Sequence, residues 1–225
     1  MTTAEQTAVL LSLRVASVGA LASLPFAIAV AYLLARVRFP GRTVLDVAVH
    51  LPLVLPPVVT GWLLLIEFGR SGPLGAFLER AFGFTFAFRW TGAALAAAVM
   101  GFPLMVRAIR LSIEAVDRRL EQAAATLGAS RLRIFATVTL PLALPGVFAG
   151  LILGFAKAIG EFGATITFVA NIPGETQTLA TLIYNTTQDP DGAPATWRLT
   201  AIAVVIAVVA LAASEGLARG FGAAR

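Results

Sequence analysis

The chain has 225 residues, of which 58% are hydrophobic and 13% are charged, whereas soluble domains carry roughly 25% charged residues. This composition excludes an ordinary soluble domain and predicts an all-α membrane protein. The net charge of +5 comes from sixteen arginines and one lysine, which we interpret as topology signals rather than as a nucleic-acid surface, and the absence of cysteine excludes disulfides and thiolate chemistry.

Apolar runs in the first half of the chain predict two membrane-spanning helices. Residues 15–35 contain no charge and are long enough to cross a bilayer, which takes ~20 residues. Pro25 can kink this helix, as membrane helices tolerate. The second run covers residues 47–66, and four residues break its regularity: Pro52, Pro56, Pro57 and Gly61. Residues 67–89 carry both charge signs and many phenylalanines, which predicts a loop with an interfacial helix.

The second half of the chain predicts three further spans, at residues 91–106, 140–156 and 199–214. Residues 162–174 are apolar but too short to cross a bilayer alone, so we predict a short or re-entrant element buried against protein. The sequence Asp-Pro-Asp-Gly at 189–192 predicts an exposed turn. The chain is therefore predicted to contain about five transmembrane helices.

The arginines predict the orientation of these spans. Three lie within residues 36–42, six within 107–133 and two after residue 215, and a protein with five crossings places all of them on one side. The positive-inside rule puts that side in the cytoplasm, so we predict an external N-terminus and a cytoplasmic C-terminus. A sixth crossing at 162–174 would put the basic C-terminus outside, which favours five.

A polar segment at about 114–139 separates the third and fourth spans and is too patterned for a simple connector. Its first part predicts a short helix with Asp117 as N-cap and Gly128 just past its end. One face of this helix is formed by residues at i, i+3, i+4 and i+7: Leu120, Ala123, Ala124 and Leu127. Two leucines that flank two alanines favour docking into a groove, although the same periodicity is typical of an ordinary amphipathic interfacial helix.

This segment resembles the coupling loop of ABC-importer permeases, in which Glu-Ala-Ala is followed by three residues, Gly and a later Leu-Pro. The matching residues in this chain are Gln122, Ala123, Ala124, Gly128, Leu140 and Pro141. Gln122 stands where the family has Glu, and Glu121 lies just before it. The resemblance therefore still implies the helix shape needed for docking, but it leaves open whether an ion pair forms at that position. The resemblance implies a coupling helix at 117–130 whose ATPase contacts come from these residues: Leu120, Glu121, Gln122, Ala123, Ala124, Leu127, Gly128 and Ala129.

Three further segments, at 51–59, 102–110 and 160–176, look like the molybdate permease family of ABC importers, and sulfate permeases share parts of the last one. The resemblance implies a type I transmembrane fold, with residues 1–225 as one permease domain and a core at about 8–217. It also implies a multi-pass homodimer in the bacterial inner membrane that imports molybdate, or tungstate, by alternating access. Its implied partners are two cytoplasmic ATPase subunits and an extracytoplasmic molybdate-binding protein.

The chain has no Gly-rich loop ending in Lys-Ser or Lys-Thr, the motif that holds nucleotide phosphates. We therefore expect a non-catalytic subunit that binds no cofactor or metal and receives its energy from ATP hydrolysed by a partner. A sulfate- or thiosulfate-type permease is the alternative. A stand-alone secondary transporter would show paired ionisable groups and an internal repeat, and a membrane enzyme would need more than His50 and Glu161 at membrane depth.

Candidate residues for the translocation pathway and its gate are neutral side chains and helix breaks. Glu161 would repel a divalent oxyanion, so we predict that it caps the following short helix or pairs with Lys157. Neutral side chains can hydrogen-bond an oxyanion without trapping it, which favours Thr165, Thr167 and Asn171 as pathway residues, with inter-helix hydrogen bonding as the alternative for each. The residues assigned to structure or gating are Pro56, Pro57, Lys157, Glu161 and Gly163.

Overall fold

The computed structural model describes the backbone of residues 1–222 and the side chains through residue 213. The orientation prediction used Arg219 and Arg225. The side chain of Arg219 and the whole of Arg225 lie outside the described residues. No strand occurs within residues 1–222. The helices are α1 (Thr3–Arg36), α2 (Arg42–Val54), α3 (Pro57–Phe68), α4 (Pro73–Phe82), α5 (Trp90–Ala115), α6 (Arg118–Thr126), α7 (Arg131–Ile134), a π-helical turn (Phe135–Thr139), α8 (Leu140–Ile159), α9 (Gly163–Val169), α10 (Leu179–Gln188) and α11 (Ala193–Gly222).

Four helices within residues 1–222 are long and apolar enough to cross a membrane: Thr3–Arg36, Trp90–Ala115, Arg131–Ile159 and Ala193–Ala213. Helices α2 and α3 complete a fifth span when they are counted together, although they are bent by 115°. The bend falls at Leu55, whose backbone is extended, because a following proline disfavours the helical conformation. The predicted run at 47–66 is therefore two helices and not one continuous span.

Helix α1 begins at Thr3 and not at residue 15, because its charged side chains find partners. Glu5 forms an ion pair with Arg198 of α11, and the guanidinium of Arg14 lies 3.8 Å from the ring centroid of Trp90. At 1.5 Å per residue, the 34 residues of α1 extend over about 51 Å, whereas the hydrocarbon core of a bilayer is ~30 Å thick. The ends of α1 therefore extend beyond the membrane core.

Two elements in the second half of the chain differ from the prediction. The fourth span runs without interruption from Arg131 to Ile159, because the π-helical turn joins α7 to α8 and the helix continues through Pro141. Helix α10 was not predicted. Its start is marked by Thr178, whose hydroxyl accepts the backbone N–H of Thr181 at 3.4 Å, and by a contact distant in sequence, in which the backbone N–H of Leu179 donates to the Ser12 hydroxyl at 2.6 Å.

Helices α1, α5 and α8 form the centre of the bundle, and α9 and α11 pack against them. Small residues allow the close approach of these helices. A Cβ atom added to Gly154 of α8 would lie 2.6 Å from the sulfur of Met105, which is fully buried on α5. Such close van der Waals packing holds membrane helices together, because lipid tails are as apolar as the side chains they replace.

The arginine-rich segments 36–42 and 107–133, which together hold nine of the sixteen arginines, meet at one end of the bundle. Arg36, the last residue of α1, donates from its guanidinium to the backbone oxygen of Val116 at 2.9 Å, just after α5. The opposite end holds the first turns of α1 and α11, which are joined by Glu5 and Arg198. Helices α1, α5 and α11 therefore run in the same direction, as the five-span topology requires.

Candidate functional site

Helix α6 is a short, independently capped helix at the arginine-rich end. The Asp117 carboxylate accepts the backbone N–H of Arg119 at 2.9 Å, which confirms the predicted N-cap. Leu127 ends the helix, and Gly128 follows in the left-handed region with φ of +82°, which confirms its predicted place past the end. The backbone N–H of Ala129 then donates to Ala124 O at 3.1 Å, so the chain turns sharply away from the helix.

The face of α6 that was predicted for docking is exposed. None of the residues of α6 is buried, Leu120 is 49% exposed and Leu127 is 88% exposed. Ala123 and Gln122 are exposed as well, whereas Glu121 and Ala124 are half-buried. Apolar side chains exposed together on a polar turn outside the spans are typical of a protein interaction surface.

Glu121 points toward the bundle and joins three parts of the chain. Its Oε1 atom accepts the Nε–H of Arg36 at 3.1 Å and the hydroxyl of Thr139 at 2.7 Å. The Arg36 side chain is only 8% exposed. The acidic group next to the motif position therefore binds within the chain, while the motif residue Gln122 faces outward.

Sequence reasoning missed Arg36 and Thr139 as partners of Glu121. Arg36 was interpreted only as a topology signal, and Thr139 as part of the connector. One signal was present: Glu121 is the sole carboxylate between residues 118 and 133, among four arginines. A carboxylate on a basic segment that lies against a bundle favours an ion pair, but the partner cannot be chosen from local spacing.

A second cluster surrounds the break between α2 and α3, where the short helix α9 packs. Glu161 is 3% exposed and makes both of its predicted contacts. Its Oε1 atom accepts the backbone N–H of Ala164 at 3.0 Å, which caps α9, and its Oε2 atom accepts the Lys157 ammonium at 2.5 Å. This carboxylate is fully used within the fold, which leaves no free charge to repel an anion.

Helices α3 and α9 touch backbone to backbone. A Cβ atom on Gly61 would lie 2.5 Å from the carbonyl oxygen of Ala164, and one on Gly163 would lie 2.8 Å from the Cβ of Pro57. The predicted short element at 162–174 is thus a helix over Gly163–Val169 that packs against protein, while residues 172–174 are exposed. Two of the residues predicted to serve gating, Pro57 and Gly163, lie in contact at this junction.

The three predicted pathway residues lie on or just after α9, and they differ in their surroundings. Thr165 is buried, and the Thr167 hydroxyl donates to the Gly163 carbonyl of its own helix at 2.8 Å. The amide oxygen of Asn171 is buried without a hydrogen-bond partner among the described residues, and so is the hydroxyl of Thr60 on α3. Thr60 was not among the pathway residues predicted from the sequence. A role for these groups in anion passage stays a prediction.

A separate polar group ties α2 to α5 at the arginine-rich end. Arg110 of α5 lies 3.1 Å from a carboxylate oxygen of Asp46 and 2.8 Å from one of Glu114. The Nδ1 atom of His50 is 2.8 Å from the backbone oxygen of Asp46, one helical turn earlier. These contacts give His50 a local packing role on α2.

Replacing Lys157 with methionine is expected to lower the free energy of unfolding by about 3 kcal/mol, because it leaves the buried Glu161 carboxylate without its counter-ion. The matching double variant, Lys157→Met with Glu161→Gln, should recover at least half of that loss, since a neutral amide can still cap α9. The measurement is the thermal unfolding midpoint of the purified protein in detergent. Glu175→Gln, at an exposed carboxylate, is the control. A double variant as unstable as Lys157→Met alone would contradict the ion-pair argument.

Comparison with known proteins finds similarity along nearly the whole chain. The family model of binding-protein-dependent transport system inner membrane components matches residues 23–221. The chain is 58% identical over 219 residues to the molybdenum transport system permease protein ModB of Escherichia coli (strain K12), covering 97% of this chain and 96% of that protein. It is 36% identical over 197 residues to the sulfate transport system permease protein CysT of Salmonella typhimurium (strain LT2), covering 88% and 70%. The inward-facing MetNI methionine ABC transporter matches with a TM-score of 0.75 at 16% identity, covering 98% of this chain and 99% of that one.

Proposed function

Because this chain belongs to the family of binding-protein-dependent transport system inner membrane components, we propose that it is the membrane-spanning permease subunit of an ATP-driven molybdate importer. It is a multi-pass protein with the fold of type I ABC importer permeases. The proposal that the substrate is molybdate rests on the 58% identity to ModB over nearly the full length. The sulfate permease relative, at 36% identity, makes sulfate the weaker alternative.

Helix α6 is the proposed docking site for a cytoplasmic ATPase subunit. Leu120 and Leu127 are 49% and 88% exposed, which leaves both side chains available to enter an apolar groove. Burying two leucine side chains is worth roughly 3–6 kcal/mol before the costs of association are subtracted. ATP is then bound and hydrolysed by two such subunits, and this chain is their non-catalytic partner. The anion is delivered by an extracytoplasmic binding protein, and the chain itself holds no cofactor.

A second copy of the chain is the proposed partner within the membrane. Irregular backbone at membrane depth is tolerated only where protein covers it or water fills a cavity beside it. Pro56 and Pro57, at the break between α2 and α3, are exposed on the single chain. A homodimer that faces the two breaks toward each other would cover them and enclose a pathway. Exposed apolar residues flank the break: Leu51, Leu53, Val54, Val58, Val59 and Trp62.

The proposed orientation places the N-terminus outside the cell and the C-terminus in the cytoplasm. The support is the clustering of both arginine-rich loops at one end, together with the positive-inside rule. This orientation puts α6 in the cytoplasm, where an ATPase can reach it. Alternating access would then open and close the pathway at α3 and α9, with Thr165, Thr167 and Asn171 as hydrogen-bonding groups and Pro56, Pro57 and Gly163 at the moving junction.

The test is ATP-dependent uptake of radiolabelled molybdate, tungstate and sulfate by vesicles that contain the chain, its ATPase and its binding protein. We expect molybdate and tungstate to accumulate and sulfate to lag at least about tenfold, which corresponds to about 1.4 kcal/mol of discrimination. Omitting the ATPase should abolish uptake. Preferred sulfate uptake would establish the sulfate-permease alternative, and uptake without the ATPase would establish a stand-alone transporter.

A further inference from the structure

We propose that Glu121 is a positioning residue that transmits the movement of α6 to α1 and α8 through its contacts with Arg36 and Thr139. The proposal rests on the proposed function, since it presumes that an ATPase displaces α6. It goes further by naming the path within the chain. The reason to look for such a path is that α6 has no buried residue, so packing into the core cannot carry its movement.

A single oxygen atom joins the three elements. Oε1 of Glu121 accepts from Arg36 Nε at 3.1 Å and from the Thr139 hydroxyl at 2.7 Å. The side chains of Arg36 and Glu121 are 8% and 18% exposed, and Thr139 is 1% exposed. Exposed ion pairs contribute about 0–1 kcal/mol, but a charge-assisted group that is mostly shielded from water is stronger. The geometry therefore favours a stiff contact over a solvated surface pair.

The last turn of α1 also holds the two ends of the connector that contains α6. Arg36 donates to the backbone oxygen of Val116, which caps α5, at 2.9 Å. One turn earlier on α1, the ring of Tyr32 meets the ring of Phe135 edge to face at 4.9 Å. The segments that enter and leave α6 are thus both fastened to α1, so α6 cannot move far without moving α1.

The third contact reaches the π-helical turn at the start of α8. Thr139 is the last residue of that turn, and the turn lies within the fourth span. A π-helical turn holds one residue more than the α-helical pattern and is found mostly at functional sites. A change in the Glu121–Thr139 hydrogen bond would act directly on this irregular turn, and through it on the long helix that packs against α5.

The experiment uses the complete complex in vesicles and compares transported molybdate per ATP hydrolysed. Glu121→Gln should leave co-purification of the ATPase unchanged and ATP hydrolysis within about twofold, while the transport ratio falls about tenfold, the effect of losing one charge-assisted contact. Arg36→Gln should cause a similar loss. The double variant should lose less than the product of the two single losses, because both changes break the shared contact between Arg36 and Glu121. Glu114→Gln, which breaks an ion pair with Arg110 within α5 at the same end and touches neither Glu121 nor its partners, is the matched control.

Three results would overturn the proposal. The first is a double variant whose loss equals the product of the two single losses. The second is a parallel fall of uptake and ATP hydrolysis. The third is a Glu121→Gln variant that no longer binds the ATPase, which would make Glu121 a docking contact. If Glu121→Gln fails to fold, Thr139→Val decides the question, since it removes only the hydroxyl and should lower the transport ratio about threefold. A wild-type complex that transports no oxyanion would instead refute the proposed function and leave this contact unexplained.

Discussion

Replacing Leu120 and Leu127 with lysine together is expected to abolish both co-purification of the ATPase and ATP-dependent uptake. The two leucines are the large apolar side chains on and directly after α6, and Leu127 is 88% exposed. Their burial on docking supplies roughly 3–6 kcal/mol, which the double variant loses. It also places two ammonium groups where water is excluded, and an unpaired charge in an apolar groove is strongly unfavourable. The complex should therefore dissociate, while the fold of the free permease is unchanged.

The measurement is a pull-down with tagged ATPase, combined with vesicle uptake. The control is Leu74→Lys on α4, a leucine that is 46% exposed near the opposite end of the bundle. This variant also places a lysine at an exposed leucine position, but the position lies outside α6. We therefore expect normal co-purification of the ATPase. The single change Leu127→Ala should weaken the complex to an intermediate degree. If the double lysine variant still binds the ATPase and transports molybdate, α6 is not the docking helix.

Local signals predicted the ends of α6 correctly, because each depends on residues close in sequence. Asp117 can cap only the helix that directly follows it, and Gly128 marks an end because it tolerates the left-handed conformation. Apolar runs of sufficient length likewise predicted the four long apolar helices within residues 1–222, and a fifth span is present when α2 and α3 are counted together. Arg14 could not be placed in the same way. It lies inside α1 because it covers the ring of Trp90, a residue far away in the sequence.

Contacts between distant segments explain the remaining differences. The proline pair at 56 and 57 indicated an interruption, but not the 115° bend itself or the backbone contact that α3 makes with α9 beyond it. Helix α10 contains many polar residues and starts where Ser12 accepts from Leu179. The bond from Arg36 to Glu121 joins residues 85 positions apart. No periodicity within one segment contains that information, so helix α6 was predictable and its attachment to the bundle was not.

Gly61→Ala is expected to destabilise the permease and to reduce uptake to near background. The new Cβ atom would lie 2.5 Å from the carbonyl oxygen of Ala164 and 2.8 Å from its Cα atom, distances that real contacts do not show. The neighbouring atoms belong to the backbone, so no side-chain rotation relieves the overlap. Helices α3 and α9 must separate, at a cost of about 1–3 kcal/mol or more. Thermal unfolding in detergent and vesicle uptake measure the two effects.

The control Gly160→Ala adds the same methyl group just before α9, where nothing lies within 4 Å, and it should behave like the wild type. A second-site change separates backbone contact from side-chain crowding. Adding Ala164→Gly to Gly61→Ala removes the facing methyl group but none of the three atoms that the new Cβ would strike, all of which are backbone. The double variant should therefore remain defective. Recovery of uptake in it would mean that side chains, and not direct backbone contact, set the spacing of α3 and α9.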